Sequence, residues 1–236
     1  RAYGATRKAC LLRAIEHDAA AVVMLQAEND YDPELVARLA EPVLGGQADL
    51  VLGSRDLADP ELARHMPAWK RMGNRALSAL QRRTLGLRVS EFHTGYRAVS
   101  PQFLATVPWA RAADDLLFDQ ETMLQAHRLG LRISEVVLPT RYFVRASPVG
   151  PVDSVRYGLS TIGLLARDLI DRVGVGRWPL IEPAWHAEVV YRVRDERHRA
   201  GQATATTSPR FGPAAAPGVT ARASRLQERT RGQQGR

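Results

Sequence analysis

The pattern of apolar and polar positions predicts an α/β chain in which buried strands alternate with amphipathic helices. Apolar residues at helical spacing, bounded by Pro or Gly, predict helices over residues 5–17, 34–44, 67–85, 119–129 and 152–173. Continuous or alternating apolar runs predict strands over residues 20–25, 49–53, 94–100 and 132–143. The order helix, strand, helix, strand predicts a mostly parallel, Rossmann-like sheet flanked by helices.

The face of two helices can be assigned from the same pattern. Ala9, Leu12 and Ile15 predict the buried face of the first helix. The last helix has one long apolar face, made of Val155, Leu159, Ile162, Leu165, Leu169 and Val173. Both segments are therefore predicted to be amphipathic helices, in which the apolar face is the one that is usually buried.

Composition changes near residue 195. The chain up to residue 194 has the apolar content of a folded domain, whereas residues 195–236 are rich in Arg, Ala, Gly and Pro and lack periodicity. Such a segment buries too little apolar surface to offset its ordering entropy. We therefore expect a folded domain over residues 1–194 and a disordered tail over 195–236.

Net charge alone points to a different class of protein. The chain carries a net charge of +8, but residues 192–236 hold ten Arg against three acidic residues, so seven of those charges lie there. The alternative function is therefore a basic interaction module whose tail binds nucleic acid or an anionic membrane. The tail has a single aromatic residue, Phe211, so it lacks the stacking residues of many nucleic-acid binders, and we expect no nucleic-acid partner.

Cysteine content and apolar run lengths exclude other classes. Cys10 is the single cysteine, which excludes an internal disulfide and a multi-cysteine zinc site. No apolar run is long enough for a transmembrane helix, and no signal peptide opens the sequence. We expect a cytoplasmic protein. Because Arg1 is not a start methionine, we also expect a fragment or a processed product.

A polar loop follows the first predicted strand. It contains Glu28, Asp30 and Asp32, and ligands of open α/β sheets bind beyond the carboxyl ends of strands. Carboxylates so placed can hold Mg²⁺ or Mn²⁺ against a diphosphate. On spacing alone, a solvated turn in which Asp32 caps the next helix is the favoured interpretation of this loop.

Two further segments could bind phosphate. Gly53, Ser54 and Arg55 end the second predicted strand, where Gly permits close approach of a ligand and Arg offers a planar fork for phosphate oxygens. Lys70 and Arg71 open the following helix and point in different directions. An ordinary strand end and a solvated helix surface are the structural alternatives.

The segment over residues 90–97, SEFHTGYR, concentrates polar side chains in one loop. His93, Thr94 and Arg97 make it a candidate binding loop, although a lone histidine is as often a hydrogen-bonded loop residue. The segment over residues 114–121, DDLLFDQE, places Asp119 and Glu121 at the start of a helix. Acids there are stabilised by the helix dipole, and one of them could also act as a general base.

Taken in order, these motifs resemble family 2 glycosyltransferases with a GT-A fold, and bacterial polyprenyl-phosphate sugar synthases most closely. The matching stretches include YGATRKACLLRAIEHDAAAVVMLQAENDYDP, ADLVLGSR, MPAWKRMGNRALSAL, LGLRVSEFHTGYRAVS, DDLLFDQE, GLRISEVVLPTRYF and SVRYG. They cover about two thirds of the chain. A sugar-nucleotide pyrophosphorylase of related topology is a weaker alternative, since no Gly-rich phosphate loop is present.

The resemblance implies transfer of a sugar, with inversion, from a nucleotide-diphosphate donor to a lipid phosphate or a saccharide at the inner face of the membrane. It implies that Glu28 and Asp30 lie in the metal loop and that Ser54 and Arg55 contact the donor diphosphate. Asp119 and Glu121 belong to the late acidic motif, which we take as catalytic. The implied acceptor-binding residues are Lys70, Arg71, His93, Thr94 and Arg97.

Two departures from the family pattern bear on activity. The metal loop reads Gln26-Ala-Glu28-Asn-Asp30, with Glu28 where the family usually has Asp and Asp30 where it often has Gln. The longer arm of Glu28 would shift a bound Mg²⁺ or Mn²⁺. Residue 1 also falls at the helix that follows the family's first βα unit, so we expect the front of the donor site to be missing and the chain to be inactive alone.

Overall fold

The computed structural model describes residues 3–25, 33–55, 66–138, 150–175 and 178–181, all within the unit Arg1–Arg197. Several sequence predictions lie outside these residues. They are the metal loop with Glu28 and Asp30, the end of the last predicted strand after residue 138, and the tail over 195–236.

The described part of the chain contains six α-helices and four strands. The helices are α1 (Tyr3–Glu16), α2 (Pro33–Leu44), α3 (Ala68–Leu85), α4 (Pro101–Thr106), α5 (Phe118–Arg128) and α6 (Pro151–Arg172). The strands are β1 (Val22–Met24), β2 (Leu50–Arg55), β3 (Arg97–Val99) and β4 (Ile133–Leu138). Short 3₁₀ turns occur at Trp109–Arg111 and Pro179–Ile181. None of these helices is both long enough and apolar enough to cross a membrane.

The four strands form one mixed sheet in the order β1-β3-β2-β4. β2 and β4 pair in parallel, whereas β3 is antiparallel to both β1 and β2. β1, β2 and β4 therefore share one direction, as the sequence predicts. The prediction of a mostly parallel sheet needs a correction at β3, which runs the other way between β1 and β2.

The reversal of β3 follows from contacts at the carboxyl end of β2. The backbone N–H of Gly53 donates to the carbonyl of Tyr96 (2.8 Å), and the Thr94 hydroxyl donates to the carbonyl of Gly53 (2.6 Å). The chain thus returns to the sheet where β2 ends and can pair only in the opposite direction. Ser100 already caps α4 by accepting from the N–H of Phe103, so the predicted strand over 94–100 is limited to three residues.

The core lies on both faces of the sheet, because successive strand residues point to opposite faces. Leu50 and Leu52 belong to the larger apolar cluster, which includes residues of α1, α4 and α5. Val51 belongs to the second cluster, with Leu35 and Leu39 of α2. The α/β class is therefore confirmed, since one sheet is covered by helices on both sides.

Gly53 has a different role from the one that its motif suggests. A Cβ at this position would lie 2.7 Å from Leu138, 2.9 Å from Leu39 and 2.9 Å from Tyr96. The absent side chain therefore allows β2 to pack closely against its neighbours, and ligand approach is not needed to explain it.

The predicted packing of α6 is largely wrong. Val155, Leu159 and Leu169 are each more than half exposed, whereas Thr161, Leu164 and Leu165 are buried. The side of the helix that faces the core thus differs from the one that its apolar periodicity indicates. Much of its apolar side is exposed.

Candidate functional site

A cleft of about 820 Å³ lies beside β1. Its lining residues from α1 are Tyr3, Thr6, Arg7 and Cys10; α3 contributes Lys70, and α5 contributes Asp119. The loop after α3 contributes His93, Thr94, Gly95 and Tyr96, and α6 contributes Tyr157 among several apolar residues. The cleft therefore has apolar lining from β1, α3 and α6, and a polar wall formed by α1, α5 and the loop.

The polar wall is organised around Asp119. The Tyr3 hydroxyl donates to Asp119 Oδ2 (2.6 Å). Two guanidinium groups approach Oδ1, with Nε of Arg7 at 3.7 Å and Nε of Arg97 at 3.9 Å, and both side chains are buried. Burial, together with the nearby carboxylate, raises the pKa of Tyr3. The phenol therefore stays neutral and acts as a donor to Asp119. We call these four residues the Asp119 wall.

Helix α1 brings Arg7 into this wall. Its buried residues are Gly4, Arg7, Leu11 and Ile15, which recur at helical spacing on one face. Gly4 packs directly on the backbone of Ala113 and Asp114, where a side chain has no room. The predicted face is therefore only partly right, because Ile15 is buried but Ala9 is exposed.

Arg97 shapes the loop from behind the cleft. Its guanidinium donates to the backbone carbonyls of Thr94 (3.1 Å), Phe92 (3.3 Å) and Asp119 (2.5 Å). Its residual exposure is 1%. These bonds hold the loop over residues 92–97 against α5, and Arg97 itself does not line the cleft. Its predicted contact with the acceptor stays a prediction.

A second chain of hydrogen bonds joins the loop to α6. Gln120 Nε2 donates to the carbonyl of Phe92 (2.9 Å) and to the Tyr157 hydroxyl (2.8 Å), while Gln120 Oε1 accepts from Gln81 (2.7 Å). The Phe92 carbonyl can only accept, which fixes the orientation of the Gln120 amide. The Tyr157 hydroxyl lies 3.2 Å from His93 Nδ1. Since it already accepts from Gln120, its proton is available to His93.

Four of the predicted site residues line the cleft, namely Lys70, His93, Thr94 and Asp119. Arg71 does not, because it lies next to Lys70 on a helix and projects elsewhere. Ser54 is buried within β2, and the side chain of Arg55 lies outside the described part. The structure thus places residues of the predicted acceptor loop and of the late acidic motif in the lining of one cleft.

Glu121 faces away from Asp119. Its carboxylate accepts from the backbone N–H of Ala113 (2.5 Å) and is not part of the cleft lining. Burial raises the pKa of Glu121. Its contacts hold the segment that supports Gly4, and its predicted catalytic role stays a prediction.

Within the described residues, no group of three or more His, Cys, Asp or Glu side chains is arranged to hold a metal ion. Asp119 is unsuited to be a cation ligand here, because two guanidinium groups already face its Oδ1. The predicted ligands Glu28 and Asp30 belong to residues that the structure does not describe.

Sequence reasoning missed Tyr3, Arg7 and Tyr157. A signal existed for Arg7, since it continues the stripe of Leu11 and Ile15 and is the single charged residue on that apolar face. A charge on a buried stripe requires a partner or a ligand. Tyr157 gave no comparable signal, because its neighbours on α6 predict a different buried face.

Comparison with known proteins gives the same family of activities as the motifs. No family model matches the chain. A UDP-N-acetylglucosamine–dolichyl-phosphate N-acetylglucosaminyltransferase of Methanococcus voltae is 28% identical over 132 residues, which are 56% of this chain and 52% of that protein. An undecaprenyl-phosphate mannosyltransferase of Micrococcus luteus is 32% identical over 116 residues, which are 49% of this chain and 46% of that protein. The chain spans about half the length of these relatives.

A solved structure supports the fold. Glucosyl-3-phosphoglycerate synthase of Mycobacterium tuberculosis, in complex with Mn²⁺, uridine-diphosphate-glucose and phosphoglyceric acid, superposes with a TM-score of 0.50 and 22% identity. The match covers 75% of this chain and 56% of that one. Together with the sequence relatives, it confirms that the chain has a GT-A fold and resembles the polyprenyl-phosphate glycosyltransferases.

Proposed function

We propose that the chain is the acceptor-side part of an inverting family 2 glycosyltransferase that moves a sugar from a nucleotide-diphosphate donor to a polyprenyl phosphate. The observation that carries this proposal is the cleft, whose lining combines Tyr3, Arg7, Asp119 and Lys70 with apolar residues of β1, α3 and α6. Cationic groups suit a phosphate, and the apolar lining suits the first isoprene units.

The donor is bound, in this proposal, by residues at and beyond the ends of β1 and β2. Glu28 and Asp30 hold a divalent cation, Mg²⁺ or Mn²⁺, while Ser54 and Arg55 contact the diphosphate. The cation, when bound, neutralises the leaving diphosphate. The complex of the Mycobacterium tuberculosis enzyme with Mn²⁺ and uridine-diphosphate-glucose supports a cation and a nucleotide sugar here.

The chain's own residues have simple tasks in the transfer. A phosphate oxygen of the acceptor attacks the anomeric carbon while the bond from that carbon to the diphosphate breaks, and the nucleoside diphosphate leaves. Lys70, His93 and Thr94 orient the acceptor; of the other residues that the resemblance assigns to the acceptor, Arg71 does not line the cleft and Arg97 holds the loop from behind it. A phosphate acceptor needs no base because it is already ionised, whereas a saccharide hydroxyl would need Asp119, with Glu121 as the other predicted catalytic acid.

The basic tail is secondary in this proposal. The similarity to glycosyltransferases supports transfer over the alternative of a nucleic-acid-binding module. A lipid-phosphate acceptor would bring the protein to the membrane surface, where the ten Arg of residues 192–236 favour anionic lipid.

A transfer assay tests the proposal. The chain, extended by any in-frame coding sequence upstream of Arg1, is incubated with undecaprenyl phosphate, MnCl₂ and either a UDP-sugar or GDP-mannose, and products are extracted into organic solvent. We expect a glycosyl polyprenyl phosphate by mass spectrometry, with inverted anomeric configuration by NMR. Parallel reactions with 3-phosphoglycerate in place of undecaprenyl phosphate distinguish transfer to a soluble acceptor from transfer to a lipid phosphate. Absence of product with both acceptors and every donor, in a chain extended by its upstream coding sequence, contradicts the proposal.

A further inference from the structure

Arg7 is a buried cation with unused hydrogen-bonding capacity in the wall of the cleft. Its side chain is 8% exposed, and it lines the cleft. Nη2 donates to the carbonyl of Gly95 (2.7 Å), and Nε faces Asp119 at 3.7 Å. Nη1 is buried and has no hydrogen-bond partner among the described residues. Within the described part of the chain, Nη2 is thus hydrogen-bonded, Nε makes only a longer ionic contact, and Nη1 is left for another partner.

The charges around Arg7 favour an anion as that partner. Within the described residues, Arg7 and Arg97 share one carboxylate, that of Asp119, so this buried group carries a surplus positive charge. Lys70 adds another cation to the lining of the same cleft. A buried charge without compensation is costly, so this arrangement is stabilised when an anion enters.

A purely structural role explains only part of the geometry. If Arg7 served only to neutralise Asp119, its Nε would be expected within hydrogen-bond distance of Oδ1, yet the two atoms are 3.7 Å apart. Among the residues that the structure describes, Tyr3, which is uncharged, is the one that gives the Asp119 carboxylate a hydrogen bond. Arg7 Cζ also lies 4.6 Å from the centroid of the Tyr3 ring. This cation–π contact holds the guanidinium in place for a ligand.

We infer that Arg7 is a phosphate-binding residue of the cleft and that Nη1 donates to a phosphate oxygen of the substrate. The inference rests on the proposed function for the identity of the substrate, which is either the lipid phosphate or the nucleoside diphosphate. Tyr3 and Asp119 act as positioning residues for Arg7. Arg suits this role because its planar group can bind Gly95 and the phosphate at once.

Direct binding tests the inference without requiring transfer. Inorganic phosphate, uridine diphosphate and farnesyl phosphate are titrated separately into the full chain by calorimetry. Arg7→Gln is the main variant, because its amide can still donate to the Gly95 carbonyl while the charge is lost. Arg13→Ala is the matched control, since Arg13 lies on the same helix and pairs with Glu16 in solvent.

We expect wild type to bind at least one probe. Arg7→Gln should weaken that binding about 10-fold or more, which is the loss expected for one charge-assisted hydrogen bond, and Arg13→Ala should leave it unchanged. Weakening for farnesyl phosphate alone assigns Arg7 to the acceptor, and weakening for uridine diphosphate alone assigns it to the donor. Weakening for all three identifies a general phosphate contact.

Unchanged affinities in a folded Arg7→Gln variant overturn the inference, as does a wild type that binds none of the probes. If Arg7→Gln does not fold, Arg7→Lys is tested in its place, because lysine keeps the charge but has a single donor group. Weaker probe binding by Arg7→Lys supports the inference, and binding equal to that of wild type overturns it. Normal transfer by Arg7→Gln would overturn this inference alone. If Arg7→Gln loses probe binding while the wild-type chain transfers no sugar, the inference stands and only the proposed function is overturned.

Discussion

Two buried carboxylates, Asp49 and Asp119, each meet arginine in very different ways. Asp49 accepts from Arg132 through both oxygens, with Nε at 2.9 Å and Nη2 at 3.0 Å, and it also accepts from the Arg132 N–H and from Ser100. Asp119 has two arginines near Oδ1, but neither is closer than 3.7 Å, and no described residue donates a hydrogen bond to that oxygen. The first carboxylate is saturated by the protein and the second is not.

This difference in hydrogen bonding distinguishes a structural ion pair, Asp49 with Arg132, from a candidate binding site at Asp119. Asp49 and Arg132 join the start of β2 to the start of β4, far along the strands from the loop over 92–97, and nothing remains there for a ligand to satisfy. The Asp119 wall keeps a buried acceptor and a buried donor, Arg7 Nη1, beside an open cleft. Unsatisfied buried polar groups in a folded chain call for an explanation, and substrate binding supplies one here.

The largest effect is expected from Asp119→Asn. The amide keeps the shape of the side chain but leaves Arg7 and Arg97 without a counter-charge, so Arg7 loses its orientation. We predict a loss of transfer of about 100-fold, the size expected when a substrate-positioning contact is displaced by about 1 Å. Steady-state kinetics with the labelled donor measures it, and circular dichroism checks the fold. A variant that keeps more than half of wild-type turnover would show that the wall is structural like Asp49.

Asp49→Ala should show the opposite behaviour. Removing the carboxylate leaves Arg132 and the hydroxyl of Ser100 without their acceptor, but Arg132 is half-exposed and can be rehydrated. We expect a loss of about 2 kcal/mol in the free energy of unfolding, from urea denaturation, with unchanged transfer per folded molecule. A large fall in turnover with unchanged stability would reverse the two assignments.

Lys70 and Arg71 offer a matched pair on α3. Lys70 lines the cleft and Arg71 does not, although the two residues are adjacent and carry the same charge. We predict that Lys70→Ala raises KM for the lipid phosphate about tenfold, a change expected for one lost charge contact, while Arg71→Ala changes it less than twofold. Equal effects of the two variants would indicate a diffuse electrostatic attraction and no specific contact.

The smallest effect concerns pH. The hydrogen bonds from the Arg132 side chain hold the pKa of Asp49 below its ordinary value of 3.8. A carboxyl whose pKa is lowered by folding stabilises the protein above its unfolded pKa, and that contribution is lost as the pH falls through the folded value. The stability difference between wild type and Asp49→Asn should therefore shrink below about pH 4. Urea titrations at pH 7 and pH 3 measure it, and a difference that grows in acid would contradict the assignment.

Much of the fold could be predicted because local periodicity matches the elements. The helix over 34–44 agrees with α2, the buried run at 20–25 contains β1, and the run at 49–53 covers the first four residues of β2. The direction of β3 could not be predicted, since it depends on the long-range bonds between Gly53 and residues 94–96. The buried face of α6 was predicted wrongly because much of its apolar side is exposed and lines the cleft.

The site was predictable only where motifs are compact in sequence. The loop with His93 and Thr94 and the segment with Asp119 are dense in polar residues, and both line the cleft. Arg7 comes from a helix 112 positions away from Asp119, and no local pattern links the two. The partner of a buried charge becomes visible only when the fold brings distant elements together.

The most direct test of substrate binding at the Asp119 wall uses Cys10, the chain's single cysteine, which is exposed and lines the same cleft one turn after Arg7. The rate of Cys10 alkylation by iodoacetamide is measured with and without uridine diphosphate or farnesyl phosphate, in wild type and in Arg7→Gln. We predict that at least one of these ligands slows alkylation of wild type severalfold and that the variant needs about tenfold more ligand for the same protection. Alkylation that is unaffected by either ligand at millimolar concentration would contradict binding in this cleft.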